Sequence, residues 1–137
     1  MQELIKKITN LINEYNQETW APVWRLLDIQ DKLCGYSFYL AEQSAQATKE
    51  ANQAYYMRKI WYVHNFNKIK SDVTKKITDK LAENNAIESV KDFYQDEIEK
   101  NYTADRLKLV LNQVNKVLSA IQQRISHLKT ENNNYKS

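Results

Sequence analysis

Apolar residues recur along this chain at steps of three and four, the spacing that lines one face of an α-helix. Leu4, Ile5, Ile8, Leu11, Ile12 and Tyr15 form the first such stripe. The stretch from Asn16 to Ala21 reads as a break, with Thr19 as a cap and Pro22 in the first turn of the next helix. Val23, Trp24, Leu27 and Leu33 open a second helix, and Gly35 either ends it or lies inside a longer one. From Tyr36 to about Leu81 no breaker occurs. The small residues Ala41, Ala45, Ala47, Ala51 and Ala54 would let a neighbouring helix approach closely. Beyond them Tyr55, Tyr62, Phe66, Ile69, Val73, Ile77 and Leu81 continue an apolar stripe. At ~1.5 Å per residue this stretch would be a rod of about 65 Å, long enough to kink or to pack against other subunits. Asn84-Asn85 is the next expected interruption. Ile87 to Lys100 then reads as a short acidic helix, and Asn101-Tyr102-Thr103 as another break, with Thr103 capping the last helix.

That last helix carries the most regular signal. Leu107, Leu111, Val114, Leu118, Ile121, Ile125 and Leu128 alternate steps of four and three, the a/d seam of a coiled coil. Val110 and Val117 widen the seam on one side, which suits a bundle. Two readings stay open: packing within the chain, and self-association through a narrow seam on a long helix. Part of the seam is expected between subunits. The expected fold is therefore all-α: an oligomeric long-helix bundle with a coiled-coil-like C-terminal helix. Residues 1–130 form one helical domain and 131–137 a frayed tail.

Composition agrees with this pattern. In 137 residues there are one Gly and one Pro, too few for many tight turns. Apolar residues at 42% and charged residues at 27% are values of a chain that folds. The lone Cys34 excludes an internal disulfide and fits a reducing compartment. The N-terminus reads as the start of an amphipathic helix rather than a signal peptide. No apolar run approaches the ~20 residues that span a bilayer. A cytoplasmic protein without membrane partners is the expectation.

Catalytic patterns are absent from the sequence. His64 and His127 stand far apart, with no ligand neighbour at metal-binding spacing, and no HExxH, CxxC or Glu-x-x-His pair occurs. One glycine cannot build a phosphate-cradling loop. Cys34 reads as a half-buried structural thiol rather than a nucleophile. The acidic residues from Glu88 to Glu99 read as a solvated face or as an electrostatic complement to the basic helix, rather than as a cation site. No metal, no cofactor and no enzymatic activity are expected.

The charge distribution is more telling than its sum of +3. Residues 54–80 carry seven cations against Asp72 and Asp79, a net of +5, and hold Tyr55, Tyr56, Trp61, Tyr62 and Phe66. At ~100° per residue, Tyr55, Tyr62, Phe66, Ile69 and Val73 fall on one arc, expected to face the core. Trp61 falls on the far side with His64, Lys68 and Lys75, and Arg58 stands one turn before it. Lys59, Lys70, Lys76 and Lys80 flank the apolar arc and can extend outward. A tryptophan framed by cations suits single-stranded nucleic acid, because bases stack on the indole while Lys and Arg neutralise phosphates. The candidate nucleic-acid-binding residues are Arg58, Lys59, Trp61, His64, Lys68, Lys70, Lys75 and Lys76. The bland alternative is a Trp61 buried under another helix and lysines that merely solvate a rod.

A short all-helical chain with the basic-aromatic segment Ala54-Tyr-Tyr-Met-Arg-Lys-Ile-Trp-Tyr and a closing helix ending Ser119-Ala-Ile-Gln-Gln-Arg-Ile-Ser-His-Leu-Lys resembles the UvsY family of phage recombination mediators. The resemblance covers the architecture from about Tyr36 to Lys129. It implies a homo-oligomer in the cytoplasm of an infected bacterium that binds single-stranded DNA, displaces the single-strand binding protein and helps load a recombinase. The acidic residues from Asp92 to Glu99 depart from that pattern. A different class of function is a helical protein-binding module, such as a phage assembly or scaffold protein or a small inhibitor of a host enzyme.

Overall fold

The computed structural model describes residues 1–17, 20–72, 74 and 76–136, with side chains as far as 132. Four helices follow one another: α1 (Gln2–Gln17), α2 (Val23–Lys70), α3 (Asp79–Ser89) and α4 (Lys91–Lys136). No strand occurs among the described residues. The chain resolves into two compact units: unit 1 comprises Met1–Gln43 and Leu107–Ser137, and unit 2 comprises Ser44–Arg106.

Unit 1 has a conventional aliphatic core. Ile8 of α1, Leu26, Ile29, Leu33 and Leu40 of α2, and Leu107, Val114, Ile121 and Ile125 of α4 are all buried. Pro22 precedes α2, and its carbonyl accepts from the amides of Arg25 and Leu26, so proline starts the helix as expected. The expected cap Thr19 lies outside the described residues. Arg25 pairs with Glu14 of α1 and Asp28 of its own helix. Gln30 Nε2 donates to Gln122 Oε1 at 2.9 Å. Along the C-terminal seam Val114 and Ile121 are fully buried within the chain, and Leu111, Leu118 and Leu128 are half-buried.

Three expected boundaries shift. Helix α2 runs straight through Gly35 but ends at Lys70, well before Leu81. Its end is made by side chains that compete for backbone groups. Asp72 Oδ1 accepts from both the amide and the hydroxyl of Thr74, at 3.1 and 2.6 Å. Thr78 then caps α3, its hydroxyl accepting from the Leu81 amide at 3.3 Å. Asn84 and Asn85 lie inside α3 rather than at a break, and the real interruption is the single residue Val90, whose amide turns back to the Ile87 carbonyl. Finally, α4 passes through Asn101-Tyr102-Thr103 without a break. Thr103 caps nothing; its hydroxyl donates to the Glu99 carbonyl at 3.1 Å inside the helix. Helix α4 runs on to Lys136.

Candidate functional site

Unit 2 holds the basic-aromatic segment, and its packing inverts that of unit 1. Its buried residues are Ser44, Ala47, Ala51, Ala54, Ala82, Ala86, Val90, Glu97 and Ala104. Among the described residues of unit 2, no Leu, Ile or aromatic side chain is buried. The large apolar side chains instead stay accessible, among them Met57, Ile60, Val63, Ile87, Tyr94, Ile98 and Tyr102. Small side chains in the interior bring helix backbones close, and large ones are left to the flanks.

The register of α2 explains this. From Ala47 its inward line runs through Ala51, Ala54, Arg58, Trp61 and Asn65, alternating steps of four and three. It meets an equivalent line on the other side of unit 2: Val90, Phe93, Glu97, Lys100 and Ala104. Arg58 pairs with Glu97, Trp61 stacks on Phe93 at 6.0 Å between ring centroids, and Asn65 donates to Ser89 at 2.9 Å. Residue numbers rise on one helix as they fall on the other, so the two run antiparallel within this unit.

The expected core arc is therefore corrected. Tyr55 is exposed, and Tyr62, Phe66 and Ile69 are only half-buried flankers; Val73 lies outside the described residues. Apolarity did not mark the interior because the interior is filled by alanine and by a paired charge.

The candidate binding residues separate into three groups. Arg58 points inward: its Nε donates to Glu97, and its guanidinium stands 4.5 Å from the Tyr94 ring and 5.4 Å from that of Tyr55. The hydrogen bond to Glu97 raises its pKa above the ordinary arginine value, outweighing the opposing effect of burial. Lys59 lies over the Tyr55 ring at 4.9 Å, and Lys70 pairs with Asp79 at 2.5 Å and reaches the Ile77 carbonyl. Trp61, His64 and Lys68 share a further face. Trp61 is 39% exposed, meets His64 edge-on at 5.5 Å, and covers one ring face with Phe93. Lys68 is exposed one turn beyond His64, and Lys76 is exposed in the connection to α3. Lys75 lies outside the described residues.

On the opposite flank of α2 a groove of about 1000 Å³ opens, entirely within unit 2. Tyr62 and Val63 form its α2 wall, Ile87 its end, and Tyr94 and Ile98 its α4 wall. Periodicity gave no sign of this groove, because its lining residues come from three helices whose ends the glycine and proline pattern misplaces. Cys34 is exposed rather than half-buried. Among the described residues no three His, Cys, Asp or Glu side chains gather as a metal site. Among them, too, no helix is long and apolar enough to cross a membrane. Comparison with protein-family models, with curated proteins and with solved structures finds no match to this chain.

Proposed function

We propose that this chain is a non-enzymatic accessory protein that binds single-stranded nucleic acid without sequence preference, in the manner of a recombination or replication mediator. The observation that carries the reading is the shared face of Trp61, His64 and Lys68 in the stretch that holds the protein's whole positive excess. Phe93 fixes the indole from one side and leaves an accessible part against which a base can stack. Lys68 lies one turn beyond His64 and can neutralise a phosphate there, and Lys76 is an exposed cation in the connection that follows. Arg58 and Lys70 are not part of that surface, since carboxylates neutralise both. Stacking and phosphate neutralisation act on any base sequence, which accounts for the absence of base-edge readout.

The test is oligonucleotide binding by fluorescence anisotropy across a salt series. Trp61→Ala should weaken binding by about 1–3 kcal/mol with the salt dependence unchanged. Lys68→Ala with Lys76→Ala should instead flatten the log–log salt slope, by about 0.7 for each lysine that no longer neutralises a phosphate of the single strand. No binding at about 50 mM salt, or binding indifferent to both variants, overturns the reading.

A second reading has its own observation. The outward-facing apolar residues of unit 2 and its groove suit a helical module that docks a protein.

A further inference from the structure

We propose that the groove of unit 2 seats a second copy of this chain, with the α4 ridge Tyr94, Ile98 and Tyr102 of each copy packed into the groove of the other. This inference rests on the protein-docking reading of unit 2 and is independent of nucleic-acid binding.

Three observations carry it. The first is the inverted packing. Tyr94, Ile98 and Tyr102 recur every fourth residue along one line of α4, and each is about half or more exposed. Ile87 and Val63 at the groove are equally open. A helix ridge at this spacing is the shape that fits a groove between two helices.

The second is charge. Residues 54–80 carry a net of +5, while residues 83–105 carry seven carboxylates against Lys91 and Lys100, a net of −5. Within the chain, the ion pairs that join these oppositely charged stretches reduce to Arg58 with Glu97 among the described residues. Lys59, Glu88, Asp92, Asp96 and Glu99 make no ion pair there. A two-fold axis sets the basic α2 of one copy against the acidic α4 of the other, and does so twice. Such a rim is complementary to itself.

The third is area. Five groove and ridge residues, Val63, Ile87, Tyr94, Ile98 and Tyr102, are between 49% and 66% exposed. At about half of an aromatic's ~200 Å² each, they offer on the order of 500 Å² per copy. With a charged rim this approaches the ~800 Å² per partner of a standard interface. The C-terminal seam offers no such surface, because Val114 and Ile121 are already fully buried in their own chain.

The experiment is sedimentation equilibrium and light scattering on the full chain, free of nucleic acid, at tens of micromolar. The wild type should associate, and more weakly as salt rises, because the rim is ionic. Ile98→Asp should weaken association at least about tenfold while circular dichroism keeps its helix signal, since the position is exposed in the single chain. Tyr102→Ala provides a milder second variant in the same direction. Leu109→Asp, at a still more exposed position of unit 1, should leave association unchanged. A monomeric wild type, association only in the presence of an oligonucleotide, or equal loss from Ile98→Asp and Leu109→Asp would each overturn the proposal.

Discussion

The Arg58–Glu97 pair joins two charges in the interior of unit 2, and removing its partners separately should give unequal losses. The Glu97 side chain is 11% exposed and that of Arg58 21%. Breaking a buried pair by deleting one member costs about 3–5 kcal/mol, because the remaining charge is left without compensation. Partial water access to both groups here places Arg58→Ala near the lower limit, at about 3 kcal/mol. Glu97→Gln should cost less, about 1–2 kcal/mol. In that variant Arg58 keeps the rings of Tyr94 and Tyr55 and its own contact with water. Replacing both together, Arg58→Met with Glu97→Leu, should return stability to within about 1 kcal/mol of the wild type, since neither desolvated charge remains. Urea unfolding can be read from Trp61 once Trp20→Phe and Trp24→Phe silence the other two indoles, which are 93% and 70% exposed. The stack of Trp61 on Phe93 makes that signal specific to unit 2. If Arg58→Ala costs under about 1 kcal/mol, or the double variant is no better than the worse single one, the pair is not an interior contact in solution.

Other positions give further expectations. The raised pKa of Arg58 means that its contribution is complete below the unfolded arginine value and is lost only as pH rises through the higher folded one. The stability difference between wild type and Arg58→Ala should therefore stay constant from neutral pH to about 11. Ile121→Ala should cost about 2–5 kcal/mol by urea unfolding, as for a fully buried aliphatic, and Leu118→Asp with Ile121→Asp should unfold unit 1 rather than release a folded monomer. Gly35→Ala should stabilise by about 0.5–1 kcal/mol in thermal melts, since an added Cβ meets nothing within 4 Å and the backbone is helical. Ala54→Leu should destabilise unit 2 by about 1–3 kcal/mol, by pushing apart helices that small side chains hold close.

The helical class was legible because nothing in the sequence argues against it. The aliphatic half of the core was equally readable: Ile8, Leu33, Leu107, Val114, Ile121 and Ile125 are both apolar and periodic, and the chain buries them. The helix ends were legible only in part. Ser71, Asp72, Thr74 and Thr78 end one helix and start another through side-chain hydrogen bonds, a signal that a search for glycine and proline overlooks. Conversely, Asn84-Asn85 and Asn101-Tyr102-Thr103 look like breaks but sit on helices held by tertiary packing, which overrides weak local preference. The core-facing arc of the basic segment was not legible, for a sharper reason. That arc was derived from where the large apolar residues lie, and in unit 2 those residues do not mark the inside.

That difference bears on how a single seam can serve two purposes. Along α4 the inward positions continue one alternation of steps from Phe93 to Leu128. Its C-terminal half is filled by Leu, Val and Ile; its N-terminal half by Phe93, Glu97, Lys100 and Ala104. The aliphatic half contributes about 1.5–3 kcal/mol for each large side chain it buries, enough to stabilise unit 1 from its own residues. Alanine burial contributes much less, so unit 2 depends on close backbone approach and on the geometry of Arg58 with Glu97 to set its register. A polar contact at an interior position specifies alignment at the expense of stability, as single polar a-position residues do in coiled coils. The consequence is that the large apolar and aromatic side chains of unit 2 remain available outside. Trp61 faces one flank with His64 and Lys68, and Tyr94 and Ile98 face the groove on the other. Two accessible flanks, one with Trp61 and His64 and one with the groove, follow from that choice of small interior residues. Ala54→Leu would test the link directly, because separating the helices should impair both surfaces at once, whereas Ile98→Asp should affect only the groove.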